Sequence, residues 1–215
     1  MESPVVKKKG MLITLEGNEG CGKSTQIRLL YDYLKKKRRV FLTREPGGTR
    51  AGDEIRRVLL DNRNKKLTAV TETLLYMASR AQLVAEVILP RLKRGEIVLC
   101  DRWSDATVAY QGFGGGVDAG WIRSLAYKAT QGVKPALTLF LDLPLEIGLR
   151  RAVSHKKADR MEKKTLLFHR KVRRGYEWIA RKETGRFRRV KILEKDSVQM
   201  VHEKIKKEVF RVLQK

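Results

Sequence analysis

Near the N-terminus, Gly17-Asn18-Glu19-Gly20-Cys21-Gly22-Lys23-Ser24 has the types and spacing to hold a chain of phosphates. It fits G-x-x-x-x-G-K-[ST], in which glycines let successive backbone N–H groups turn inward onto phosphate oxygens. Lys23 then reaches the β- and γ-phosphates, and Ser24 is placed to ligate Mg²⁺. Thr25 follows at the start of an expected helix, whose positive end adds to the pull on an anion. The chemistry implied is ATP or GTP binding, and the loop alone does not say what is done with the nucleotide.

Further along lie residues suited to the same phosphates. Arg44 and Arg102 each end an apolar run, where a guanidinium can grip two phosphate oxygens at once; the weaker alternative for either is a surface salt bridge. Asp101, ending an apolar run just before Arg102, resembles the carboxylate that organises Mg²⁺ through water in phosphate-loop sites; the alternative is a cap on the next turn. Tyr76 and Arg80 are spaced by four and so share a helix face, although an aromatic there also suits core packing.

These residues need a scaffold. Short apolar runs at Met11–Leu15, Val40–Thr43, Ile97–Asp101, Leu137–Leu141 and Val190–Leu193 read as buried parallel strands. Helical spacing appears at Ser24–Lys37, Thr71–Leu89 (ending at Pro90), Gly120–Gly132, Leu145–His155, Thr165–Arg181 and Ser197–Gln214. In Thr71–Leu89 the apolar side is Leu74, Leu75, Ala78, Ala81, Ala85 and Ile88. Alternation of strand and helix predicts an α/β fold: a five-stranded parallel sheet flanked by helices, with the phosphate loop after its first strand. Residues 1–10 read as a basic tail and 11–215 as a single phosphate-loop domain, with two inserts, Glu45–Arg50 and His155–Glu162. Ligands are expected beyond the carboxyl ends of the strands.

Composition narrows the setting. No stretch approaches the roughly 18 consecutive apolar residues of a membrane span, and the start lacks the apolar core of a secretory signal. Cys21 and Cys100 are too few for a disulfide scaffold and read as reduced thiols of a cytoplasmic protein. Lys plus Arg number 48 against 24 acidic residues, a net charge of +24. No nucleic-acid reader motif accompanies that surplus, so it reads as solvated helix faces and phosphate sites rather than a specific nucleic-acid partner.

Four segments together give a family resemblance: the phosphate loop, Thr43-Arg44-Glu45-Pro46-Gly47-Gly48-Thr49, Leu74-Leu75-Tyr76-Met77-Ala78-Ser79-Arg80, and Asp101-Arg102-Trp103 with Ala109-Tyr110-Gln111-Gly112. Their set and order resemble the bacterial form of thymidylate kinase. The resemblance implies the P-loop NTPase fold, ATP with Mg²⁺, transfer of the γ-phosphoryl group to dTMP, and a homodimer. It places Glu19 on the sugar 3′-hydroxyl, Tyr110 against the 2′ position, Tyr76 on the thymine ring, Arg80 and Gln111 at the base edge, and Arg44, Pro46 and Arg102 around the acceptor. Leu149-Arg150-Arg151…Asp159-Arg160-Met161-Glu162 resembles the family's mobile lid, spanning about 150–162. Arginines common there are replaced by Val153 and His155, so Arg151, Lys156 and Arg160 compete for the γ-phosphate, with Arg160 counted as catalytic. Arg150 or Arg151 is expected to stack on adenine, because the usual Asp and small residue after the last strand are replaced by Leu193-Glu194-Lys195-Asp196. The rival expectations are another nucleoside-monophosphate kinase and a nucleic-acid-binding ATP switch.

Overall fold

The computed structural model describes residues 10–155 and 159–214, with the side chains of 153–155 left aside. Residues 1–9 of the basic tail and Lys156 therefore lie outside the described residues. Strands β1 (Met11–Glu16), β2 (Val40–Arg44), β3 (Ile97–Asp101), β4 (Leu137–Asp142) and β5 (Phe187–Lys191) form one sheet in the order β2-β3-β1-β4-β5. Every pairing is parallel, which the alternation of strands and helices requires. β1 lies at the centre and is buried almost throughout. Its end delivers the phosphate loop to the middle of the carboxyl edge, beside Asp101 of β3, which stands in register with Leu15 and with Arg44.

The helices are α1 (Lys23–Leu34), α2 (Arg50–Leu60), α3 (Ala69–Leu83), α4 (Leu89–Lys93), α5 (Ser104–Thr107), α6 (Ala119–Ala129), α7 (Leu145–His155), α8 (Leu166–Lys182) and α9 (Val198–Leu213). One core joins α1 and α9 to the sheet through Ile27, Leu30, Leu99, Leu139, Ile205 and Val209. A second gathers Phe140, Val172, Tyr176 and Ile179 beneath Ala109 and Tyr110.

Three expectations are corrected, and one further helical stretch is found. Helix α2 was not foreseen: Glu45–Arg50 read as an insert, but Thr49 accepts a hydrogen bond from the Gly52 N–H at 3.0 Å and starts a helix there. Pro90 does not end the long helix. A π-helical segment, Val84–Ile88, links α3 to α4, and the Leu89 N–H reaches back to the Val84 carbonyl. That wider turn accommodates a proline, which has no N–H to donate. The stretch around Tyr110 is also helical: α5 runs into a π-helical segment, Val108–Gly114. Last, β5 starts earlier than Val190. It is an edge strand with Phe187 and Val190 buried and basic residues between, so its apolar signal is diluted.

Candidate active site

The phosphate loop is shaped by its glycines. Gly20 and Gly22 have φ of 66° and 92°, the left-handed region open to glycine. A methyl group at Gly20 would also lie 1.8 Å from the Gly148 carbonyl, so the loop packs directly on α7. Within it, Lys23 Nζ donates to the carbonyls of Gly17 and Asn18 at 3.0 and 2.9 Å. Asn18 is anchored outward, Nδ2 donating to the His169 carbonyl of α8 at 3.2 Å. Ser24 and Thr25 are exposed at the loop's mouth, and Ser24 Oγ donates to Asp101 Oδ2 at 3.3 Å.

A cleft of about 620 Å³ runs from this loop along the carboxyl edge of the sheet. Arg102 stands at its middle. Its φ of 72° is unusual for a residue with a side chain. The turn is held by its N–H on the Leu15 carbonyl at 3.0 Å and the Trp103 N–H on Glu16 Oε1 at 2.7 Å. Nη1 donates to the Gly17 carbonyl and the Tyr176 hydroxyl, at 3.1 and 3.3 Å. Nη2 donates to Glu19 Oε1 and the Tyr110 hydroxyl, at 2.7 and 3.1 Å. Burial opposes the guanidinium's charge, but Glu19 beside it more than offsets this, and its pKa is raised. The converse holds at Glu19: burial pushes its carboxyl up, yet Arg102, Lys23 and the Tyr110 hydroxyl bring it down to about 2. Tyr110 donates to the same Glu19 oxygen at 2.8 Å.

On one side of Arg102, Arg44 and Arg56 line the cleft with it. Arg56 donates to the Pro46 carbonyl at 2.9 Å. Burial and then the nearby Arg44 lower its pKa, against Tyr76, Asp159 and Asp101, which raise it. Three guanidiniums on one cleft wall suit an anion, with Arg44 3.6 Å from Asp53 and Arg102 held by Glu19. Arg56 escaped the sequence reading because α2, which carries it, did; Thr49 followed by Asp53 in the first turn was the available signal.

At the far end Tyr76, Pro46, Gln111 and Arg80 line the wall. Arg80 is 1% exposed and bound by the Glu45 carboxylate through Nε and Nη2 at 2.8 and 2.6 Å, by Thr107 at 3.0 Å and by the Met77 sulfur at 3.1 Å. Gln111 donates through Nε2 to Glu72 at 3.0 Å. The expected apolar face from Leu74 to Ile88 holds only in part: Ile88 is buried and Leu75 and Ala81 half-buried, but Ala78 and Ala85 are exposed. Leu74 is exposed, while Glu72 and Arg80 are buried, because each meets an opposite charge from a distant segment.

Arg160 is a correction. It does not face the phosphate loop: it is buried, its Nε donates to the Leu59 carbonyl at 2.8 Å, and Nη1 pairs with Glu72. The turn carrying it is pinned to the end of α2, with Asp159 accepting from the Met161 and Glu162 N–H groups. Arg151 lines the cleft on the donor side, whereas Arg150 is exposed and reaches Glu194 at 3.5 Å. The donor side is completed by Gln26, Ile192, Asp196, Val198 and Val201, which the sequence reading did not assign.

Ser24 and Asp101 fit a Mg²⁺ ion. Asp101 Oδ1 is buried without a partner among the described residues, and Oδ2 accepts from the loop's hydroxyl. A single carboxylate and a hydroxyl suit a metal that keeps waters and takes phosphate oxygens for its other ligands.

Behind Arg102, Glu16 is fully buried and also accepts from the Tyr176 hydroxyl at 2.8 Å. Burial, reinforced by Asp105, raises its pKa from 4.5 to about 8. The folded protein therefore holds a proton that the unfolded chain releases above 4.5. Stability falls as pH rises through that window, by a few kcal/mol at ~1.4 kcal/mol per unit. Glu16→Gln copies the protonated carboxyl: its carbonyl accepts from the Trp103 N–H, and its NH₂ donates to the Tyr176 hydroxyl, which accepts as well as donates. The variant is expected to melt near wild type at pH 5 and, with no group to titrate at this position, to gain on it steadily toward pH 9; a difference that stays constant in thermal melts across that range would rule out titration of Glu16.

A phosphate loop at one end, an anion-gripping arginine group in the middle and a closed base-sized wall at the other end define a P-loop nucleoside-monophosphate kinase. Comparison with known proteins narrows the class. The family model described as Thymidylate kinase matches residues 15–205. The chain is 51% identical over 185 residues to the thymidylate kinase of Citrifermentans bemidjiense, covering 83% of this chain and 82% of that one. It is 42% identical to that of Kosmotoga olearia, covering 95% and 98%. The crystal structure of thymidylate kinase from Ehrlichia chaffeensis superposes with a TM-score of 0.77 at 31% identity, over 93% of this chain and 98% of that one. The chain belongs to the thymidylate kinase family.

Proposed function

We propose a division of labour along the cleft for the reaction of this family, transfer of the γ-phosphoryl group of ATP to dTMP, giving dTDP and ADP for dTTP synthesis. The carrying observation is the single cleft in which Arg102 touches both the phosphate loop and Glu19. ATP lies with its triphosphate in the loop, residues Gly17 to Thr25. Lys23 leaves the Gly17 and Asn18 carbonyls for the β- and γ-oxygens. Ser24 and Asp101 hold Mg²⁺, which supplies charge neutralisation across the phosphates. Arg151 supports the donor from the α7 side.

On the acceptor side Arg44, Arg56 and Arg102 hold the dTMP phosphate in line with the γ-phosphorus, and Arg102 neutralises charge that spreads during transfer. Glu19 accepts from the 3′-hydroxyl, Tyr110 fills the 2′ position, Tyr76 stacks on the ring, Pro46 backs it, and Arg80 and Gln111 meet the base edge. Closure of the lid over this assembly keeps water from the γ-phosphate.

The protein acts as a cytoplasmic homodimer. Supporting this are two cysteines without a disulfide and the exposed Val58, Val70 and Leu74 on adjoining helices. No helix among the described residues is long and apolar enough to cross a membrane.

A coupled ADP-release assay across all nucleoside monophosphates tests the reading. We expect dTMP first, dUMP poorer by the loss of one methyl contact, and the other monophosphates near background. Equal rates with dCMP or AMP would sink it. Tyr110→Ala is expected to raise use of the ribonucleotide relative to dTMP about 10-fold, as a filled space is opened. An unchanged ratio would make Tyr110 a support for Arg102 only.

A further inference from the structure

Arg160 has a place in the molecule that phosphate chemistry does not explain. Glu72 of α3, 4% exposed, divides its carboxylate between two partners. Oε1 accepts from Arg160 Nη1, and Oε2 accepts from Gln111 Nε2 at 3.0 Å. Arg160 Nη2 is buried with no partner among the described residues, so this guanidinium has a donor to spare and nothing that accepts. A guanidinium only donates and a carboxylate only accepts. Gln111 can therefore meet Glu72 only with its NH₂ group, and its carbonyl is the atom left for the cleft it lines.

We propose that Glu72, oriented by Arg160, is a positioning residue for base discrimination: it locks the Gln111 amide so that the cleft offers an acceptor to position 3 of the base. This rests on the placement of Gln111 beside the base given above. Thymine and uracil carry an N3–H donor at that position, whereas cytosine carries a bare nitrogen that accepts. Arg80 offers a donor to position 4, where thymine has a carbonyl and cytosine an amino group. Cytosine thus meets the wrong partner at two neighbouring atoms. The first test is set from behind by residues that never touch substrate. Arg160 belongs to the lid's far end, which the sequence reading assigned to the γ-phosphate; here that end braces the base reader.

The relay makes an unusual demand on the isosteric variant Glu72→Gln. Arg160 still requires an acceptor, so it takes the carbonyl of the new amide. The NH₂ then faces Gln111, which must reverse and turn its own NH₂ to the cleft. Against thymine that sets donor against donor, while cytosine N3 gains a donor. We expect the dCMP/dTMP ratio of kcat/KM to rise at least ~10-fold, mostly through loss of dTMP, the size of effect that one unpaired buried donor produces. The dUMP/dTMP ratio is expected to stay at its wild-type value, because uracil and thymine are alike at position 3. Adding Arg160→Met frees the amide to rotate, and the ratio is expected to fall back between the two proteins.

An equal loss for all three nucleotides in folded Glu72→Gln would overturn the proposal. If that variant does not fold, the neutral double variant decides: a dCMP/dTMP ratio above wild type supports the relay, and a wild-type ratio overturns it. Gln111→Met separates this from the reading beneath it. An unchanged ratio there means that Gln111 does not read the base at all. A changed ratio there with none in Glu72→Gln removes only the relay.

Discussion

Replacing Arg102 by methionine is expected to lower kcat about 10³-fold, the scale associated with an arginine that stabilises a transferring phosphoryl group. The side chain holds four contacts that together join the phosphate loop to the sugar pocket. Methionine keeps similar length and the same left-handed backbone demand, so the variant isolates the guanidinium. Two losses combine. Charge developing between donor and acceptor is left without its central cation. Glu19, brought down to about 2 partly by Arg102, loses its main counter-charge and binds the sugar less firmly. Arg102→Lys is expected to recover little, because an ammonium cannot span the Gly17 carbonyl, Glu19 and both tyrosine hydroxyls. Steady-state kinetics with dTMP, beside a thermal melt to confirm folding, make the measurement. A loss below ~10-fold in folded protein would move Arg102 from the chemistry to the scaffold.

For the wild-type protein, dCMP is expected to fall on the order of 10⁴-fold below dTMP in kcat/KM, as in sites built around a hydrogen bond that the competitor cannot make. Arg80 narrows the reason. Nε and Nη2 are committed to Glu45 and Thr107, and one Nη1 hydrogen to the Met77 sulfur. Of five N–H groups, one Nη1 hydrogen remains to meet the carbonyl at position 4 of thymine. It has nothing to offer the amino group of cytosine. Arg80→Gln is expected to raise the dCMP/dTMP ratio, since a glutamine amide can turn its carbonyl to that amino group. The same change strands Glu45. Burial already raises the Glu45 pKa even with Arg80 opposing it. Removing one partner of a buried pair costs about 3–5 kcal/mol, so the variant should melt well below wild type. Adding Glu45→Gln should recover much of that stability and leave the altered ratio in place. Wild-type discrimination in folded Arg80→Gln would show that position 4 is read by another group.

What the sequence settled by itself was local. The phosphate loop depends on glycine freedom, one lysine and one hydroxyl at fixed spacing, all within eight residues. The strands that present it are short apolar runs, and their parallel order follows from the helices between them. Arg44, Asp101 and Arg102 could be placed at the cleft because each ends such a run. The tertiary structure decided whatever depends on partners far along the chain. Glu72 and Arg80 sit on the buried side of α3 only because Arg160 and Glu45 neutralise them there, 88 and 35 residues away. Periodicity weighs each residue by its own polarity, so it turned part of that helix the wrong way and left Leu74 inside. Arg56 joined the anion site only when α2 appeared, a helix marked by its cap rather than by apolar spacing. Arg160 matched a lid motif in the sequence, yet its guanidinium goes where a buried carboxylate needs a cation. A charge taken out of water must be paired, and which charge pairs with which is settled by the folded chain as a whole.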